Sequence, residues 1–363
     1  MDFLRFGMLL FSAVLGAAGS TGDKAPLDAG SVQRVVTQLV QREDQATMSG
    51  NRASLKAVFL PGSKTAEAVH EKAVSRLMYL NDWAKARQIH FDGVLVHVRT
   101  GPGRWLGSDE VRVYGADQAQ YRYHHLVGNK RENRFGIGVY HWYVLEESHG
   151  QWYIKNDTFI DPLNQDTRLK GAAVPAVIQV KPEHRSPVPP SEGAKRAIRY
   201  AETYCGAAFG CGNQNRYHSQ YADYNWNGGD CTNFISQVLH AGGFSENSHW
   251  DGSDGGTPAW VNATRLAQYL RRSGRATAYA EGTLPTLIED DPSGHSPLDQ
   301  LRLGDLIGYF ETGRVVHFAI VVGFDADGYP LVISHSADRY RVPWDLGWDR
   351  TTRFLFYHVH YPS

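Results

Sequence analysis

The reading of this chain turns on Gly228-Gly229-Asp230-Cys231-Thr232-Asn233-Phe234-Ile235-Ser236-Gln237-Val238-Leu239. Phe234, Ile235, Val238 and Leu239 fall on one face at helical spacing, and Gly242-Gly243 supplies a stop. Asp230 stands where an N-cap belongs, which puts Cys231 in the first turn. A thiol there meets the positive end of the helix dipole, which favours the thiolate. The free N–H groups of that turn are suited to an oxyanion. The two glycines before it let a substrate backbone come close. One segment therefore supplies a nucleophile and part of its electrostatic partner.

A thiol nucleophile needs a base. Val315–Gly323 reads as a buried strand in which His317 alone interrupts an apolar run. Asp325-Ala326-Asp327-Gly328 is a hairpin signal. The chain returns along Leu331–His335. With Ala326–Gly328 as a three-residue loop, His335 is expected opposite Ala319, on the same sheet face as His317 and able to orient its ring. Asp338 is the rival for that third place. A cysteine on a helix, followed by a histidine and a third polar group on adjacent strands, is the papain-like plan.

Around these residues a resemblance appears. Gly229-Asp230-Cys231-Thr232-Asn233-Phe234, Leu303-Gly304-Asp305-Leu306-Ile307 and Val316-His317-Phe318-Ala319-Ile320-Val321 resemble the successive signatures of NlpC/P60 peptidases. Thr232-Asn233-Phe234, Trp250, Trp260 and His335-Ser336-Ala337-Asp338 are closer to the family called "putative amidase domain". The resemblance covers about 192–361. It implies a papain-like fold and hydrolysis of amides in cell-wall or related peptides, without a cofactor. By that resemblance the third member is a His, which favours His335 over Asp338. It also implies an upstream polar side chain completing the oxyanion hole, a place for Asn225 or Asn227. The competing reading is a catalytically silent papain-like module that binds peptide or wall polymer.

The composition fits this picture. A chain of 363 residues suggests two domains, and 42% hydrophobic residues can build two cores. A net charge of -1 speaks against nucleic acid or an anionic membrane surface as partner. Residues 1–20 read as an export signal: a short basic start, an apolar run too short to span a bilayer, then small residues. Once that segment is cleaved, no integral membrane part is expected. With that export signal, the resemblance implies a location outside a bacterial, Gram-positive cell, at the wall. There are three cysteines. Cys205 and Cys211 lie close enough in sequence for a small disulfide loop, which leaves Cys231 as the odd thiol.

Toward the N-terminus, Val32, Val35, Val36, Leu39 and Val40 mark one helix and Thr65–Ala86 another. Period two then sets in over Phe91–Arg99, Glu110–Tyr114, Gln120–Leu126, Gly136–Glu147 and Trp152–Phe159. Helices followed by an antiparallel sheet make residues 28–165 an α+β unit whose pattern resembles an NTF2-like or cystatin-like cone. Four prolines within Lys181–Ser191 mark 166–191 as a linker. The chain then resumes as a second α+β unit over 192–363, with helices from Glu192–Tyr204, Cys231 and Pro258, and strands after Leu303. Asp157 and Asp161 read as turn and cap residues. His124 and His125 point to opposite faces, His358 and His360 lack further ligands at motif spacing, and no metal is expected.

Overall fold

The structure, a computed structural model, describes residues 28–163, 189–225, 227–348 and 351–362. The expected signal segment, and nearly all of the linker, lie outside the described residues. Among the described residues no helix is long and apolar enough to cross a membrane.

The N-terminal unit opens with α1 (Ala29–Ser49), α2 (Arg52–Lys56) and α3 (Lys64–Ala86). Val32, Val36, Leu39 and Val40 are buried on the inner stripe of α1. Leu77, Leu80 and Trp83 do the same on α3. These helices pack on β1 (Ile89–Thr100), β2 (Arg104–Trp105), β3 (Glu110–His125), β4 (Asn133–Ser148) and β5 (Gln151–Thr158). The two runs expected at Glu110–Tyr114 and Gln120–Leu126 are one strand, β3. Gly115-Ala116-Asp117 hides its continuity because Asp117 is a carboxylate on a buried position.

The C-terminal unit carries α4 (Glu192–Thr203), α5 (Cys231–Ala241), α6 (Pro258–Val261), α7 (Ala263–Ser273), β6 (Ala276–Thr283), α8 (Leu284–Ile288), β7 (Leu306–Glu311), β8 (Arg314–Phe324), β9 (Pro330–Ser334), β10 (Asp338–Pro343) and β11 (Arg353–Val359). Phe234, Ile235, Val238 and Leu239 of α5 pack with Phe318, Ile320 and Ile333 on one sheet face. Tyr309, Ala319, Val321, Val332, Trp344 and Trp348 fill the other.

Both units share one antiparallel sheet, in the order β1-β3-β4-β10-β9-β8-β7-β11-β6. The join is the β4–β10 ladder, with Gly138 beside Asp338 and Gly136 beside Tyr340. Further along the same edge of β4, β5 pairs from Trp142 to Ser148. The chain is therefore α+β with a large antiparallel sheet. Sequence reading missed β10, the strand that joins the units, because its buried positions include Asp338 and Arg339.

The β8–β9 hairpin corrects the expected register. Its loop closes as foreseen, with Phe324 beside Pro330 and Gly323 beside Leu331. A bulge between Val321 and Gly323 then shifts the ladder, so that Val321 meets Val332 and Ile320 meets Ile333. A slip of one residue turns over every later side chain. His335 thus follows Ile333 onto the α5 side of the sheet, away from the face of His317, and does not orient that ring.

Candidate functional site

Gly228 and Gly229 lead into α5 with φ of 92° and 102°. Left-handed backbone of this kind favours glycine, and here it lets the chain turn sharply into the helix. The first intrahelical bond runs from Phe234 N to Asp230 O. This leaves the N–H groups of Cys231, Thr232 and Asn233 at the helix mouth. Asp230 holds the N-cap position but makes no side-chain cap bond. Its carboxylate is committed elsewhere. Oδ1 accepts from Tyr224 N at 3.1 Å and Asn233 Nδ2 at 2.8 Å, and Oδ2 lies 2.6 Å from His335 Nδ1. Asn233 in turn accepts from Trp260 Nε1 at 2.9 Å.

Cys231 is buried, its Sγ 3.7 Å from Thr232 Oγ1 and donating to Val316 O at 3.9 Å. Val316 is the residue skipped by the β7–β8 ladder, which passes from the Tyr309–His317 pair to the Phe310–Val315 pair, so the thiol meets β8 at a bulge next to His317. Burial pushes the thiol pKa up, while the Thr232 hydroxyl and the Phe318 N–H pull it down and lose. Loss of solvation thus opposes the thiolate more strongly than these hydrogen bonds favour it.

His317 is buried too, on the opposite sheet face, with its ring edge-on to Tyr309 at 5.2 Å and 5.8 Å from Trp348. Burial, then the charges of Arg339 and His335, push its pKa down to about 3. The imidazole is neutral, and among the described residues it makes no hydrogen bond, to Cys231 or to any other group. Cys231 and His317 therefore meet the same short segment of β8 without being paired.

His335 is differently placed. Nδ1 faces Asp230 Oδ2, Nε2 lies 2.7 Å from Tyr204 O, and the ring stacks on Phe234 at 3.8 Å. Two acceptors on two ring nitrogens require both protons, so the ring is an imidazolium. Burial opposes that charge, but the Asp230 hydrogen bond and the charges of Asp338 and Asp230 raise the pKa overall. Asp338, the rival third member, accepts from Ala207 N at 2.7 Å and Tyr217 OH at 2.5 Å. Burial lifts its pKa to about 6, against the pull of His335. Neither His335 nor Asp338 bonds to His317 among the described residues.

Asn225 is tied to Asp223 through its amide at 2.8 Å and its backbone N–H at 2.9 Å. Asn227 is exposed and donates its N–H to Tyr224 O. Neither side chain is brought to Cys231 by a hydrogen bond among the described residues. Cys205 and Cys211 are joined as a disulfide. His124 pairs with Asp92, His125 with Asp325, His358 with Asp305, and His360 with Thr277. The described residues contain no group of three His, Cys, Asp or Glu side chains arranged for a metal ion.

Sequence reading missed a polar cluster inside the N-terminal unit. His141 Nδ1 lies 2.9 Å from Asp157 Oδ1, and Nε2 is 3.3 Å from Asp117. Glu43 and Arg76 pair beside them. Asp157 is thus a buried partner of His141 and not a turn residue. The available signal was a His interrupting an apolar strand, the same one that picked out His317.

His317 makes acid a specific stress. Its folded pKa lies below the unfolded value near 6.5, so from there down to about pH 3 the unfolded chain takes a proton that the native state refuses. Stability contributed by the neutral ring is present above that window and lost as pH falls through it. Full proton uptake by this one group corresponds to about 1.4 kcal/mol per pH unit. In urea titrations between about pH 4 and 6, His317→Gln is expected to show a slope shallower by up to that amount. An unchanged slope would show that His317 titrates normally.

The chain is similar in part to several known proteins. Over 176 residues it is 29% identical to the uncharacterized protein YhbB of Bacillus subtilis (strain 168), covering 45% of this chain and 49% of that one. It is 30% identical over 156 residues to the uncharacterized protein YjcM of the same organism, covering 40% and 31%. The chain thus spans about half or less of these curated relatives. Among solved structures, an NTF-2 like protein of unknown function from Shewanella oneidensis MR-1 aligns over 35% of this chain and 98% of its own, at 13% identity and a TM-score of 0.21. A likeness that low carries nothing about the fold. Residues 191–357, which hold Cys231, His317, His335 and Asp338, match the family described as "Putative amidase domain", and with that match comes a suggestion of amide hydrolysis.

Proposed function

We propose that residues 191–357 form a papain-like cysteine amidase, with Cys231 as nucleophile and His317 as base, acting on amides of cell-wall or related peptides. The observation that carries this reading is Cys231 in the first turn of α5, against the strand segment from which His317 projects. In the proposed reaction Cys231 Sγ attacks the amide carbonyl and its proton passes to His317. The helix-mouth N–H groups hold the developing oxyanion. His317 returns the proton to the leaving amine, and water then hydrolyses the acyl-enzyme. Catalytic hydrogen bonds are often unmade in an apo state, and this route requires the His317 ring to leave the face it shares with Tyr309 and Trp348 and reach the thiol. Transfer of the acyl group to an amine instead of water would use the same residues. Export and a place at the wall of a Gram-positive cell belong to the same proposal, supported by the N-terminal apolar run.

A second reading is favoured by one observation: Cys231 on the α5 side and His317 beside Tyr309 and Trp348 lie on opposite faces of the sheet, with no hydrogen bond between them among the described residues. On that reading the unit binds peptide or wall polymer and does not cut it. Brief iodoacetamide treatment near neutral pH, read by mass spectrometry, separates the two. The enzyme reading expects an adduct on Cys231 that forms several-fold more slowly in His317→Ala. A thiol that reacts only after denaturation would leave the binding module standing.

A further inference from the structure

The Cys205–Cys211 disulfide closes a short loop directly after α4. One side of that loop lies on β4. Gly136 and Gly138 make room for it: a Cβ at Gly136 would stand 1.8 Å from Phe209 O, and one at Gly138 would stand 2.2 Å from the Ala207 carbonyl carbon. Gln118 Nε2 adds a bond to Ala207 O at 2.6 Å.

The other side of the loop grips the turn between β9 and β10. Tyr204 O, next to Cys205, meets His335 Nε2 at 2.7 Å, and Ala207 N donates to Asp338 Oδ2 at 2.7 Å. His335 and Asp338 bracket Ser336 and Ala337, whose φ values are 65° and 81°. Residues with side chains adopt such backbone at a cost, and the surroundings must hold them there. The turn then delivers Ser336 Oγ, which accepts from Asp230 N at 2.5 Å. Asp230 also binds His335, and Cys231 follows it. A continuous set of contacts thus runs from the disulfide through the turn to the residue that sets Cys231.

We infer that the Cys205–Cys211 disulfide is a positioning element of the Cys231 site, fixing His335, Ser336 and Asp230, and not a staple for the whole chain. A cross-link over so short a loop constrains the unfolded chain less than one closing a long loop. Its effect on activity rests on the reading of Cys231 as nucleophile; its effect on His335 does not.

The test compares the full chain with Cys205→Ala/Cys211→Ala and with Cys205→Ser/Cys211→Ser. In both pairs cooperative unfolding is expected to persist. Exchange of the two His335 ring protons, followed by NMR on histidine-labelled protein, is expected to be about tenfold faster or more. The pH midpoint of Cys231 alkylation is expected to move, and kcat on a peptide amide to fall by about tenfold or more with KM little changed. Unchanged His335 ring protons in a folded double variant overturn the inference. So does the failure of both pairs to fold, because the disulfide is then a global staple. If the intact protein shows no turnover that depends on Cys231, the amidase reading fails while the ring-proton comparison still decides the positioning role.

Discussion

Cys231→Ala is expected to lower amide turnover by about ten-thousandfold or more while leaving the fold in place. Among the described residues the thiol makes no ion pair and only weak sulfur contacts, with Thr232 and Val316. Replacing the SH group by hydrogen therefore costs stability of about 1 kcal/mol. Nucleophile and base act as a unit, so Cys231→Ala/His317→Ala should be no worse than either single change. The check is steady-state hydrolysis of peptide amides by the three variants, with thermal unfolding alongside. Retention of more than roughly a tenth of normal turnover in Cys231→Ala would remove the covalent mechanism.

Asp230→Ala is expected to give the largest loss of stability at the site, about 3–5 kcal/mol near neutral pH. It leaves the His335 imidazolium buried beside Tyr204 O without its carboxylate, and it strips Tyr224 N and Asn233 Nδ2 of their acceptor. The pH dependence identifies the cause. His335 has a folded pKa above its unfolded value, so its contribution is complete below about pH 6.5 and is lost as pH rises through the raised value. Asp230→Asn can keep the bonds made by Oδ1 but no longer favours the charged ring. It should shrink that alkaline limb, leaving the part that Asp338 supports, while costing less than Asp230→Ala. Denaturant titrations across about pH 6 to 9 measure both effects. An alkaline limb of undiminished size in Asp230→Asn would assign it to another group.

The two histidines show what the sequence could and could not tell. Strand β8, helix α5 and the hairpin loop were legible because each is written in local pattern: an apolar run, a helical stripe, an Asp-Gly turn. The face occupied by His335 was not. The bulge near Val322 carries no residue signature, yet it reverses the sheet side of all that follows. The commitment of Asp230 to His335 and Tyr224 was hidden as well, since an aspartate before a helix reads as a cap whether or not it caps. The upward push on the Cys231 thiol pKa comes from how deeply the start of α5 is covered, which is a property of packing. Strand β10 and the Asp117 portion of β3 escaped for one shared reason: buried carboxylates and a buried guanidinium imitate the polarity of loops.

The β4–β10 ladder has a consequence for the C-terminal unit as a separable piece. Cut free at Ser191, that piece would carry β10 as an open border, its unpaired N–H and C=O groups a template for any passing strand. Within the whole chain the N-terminal unit closes that border. Pairing with β4 thus leaves the Cys231 unit without that template for self-association.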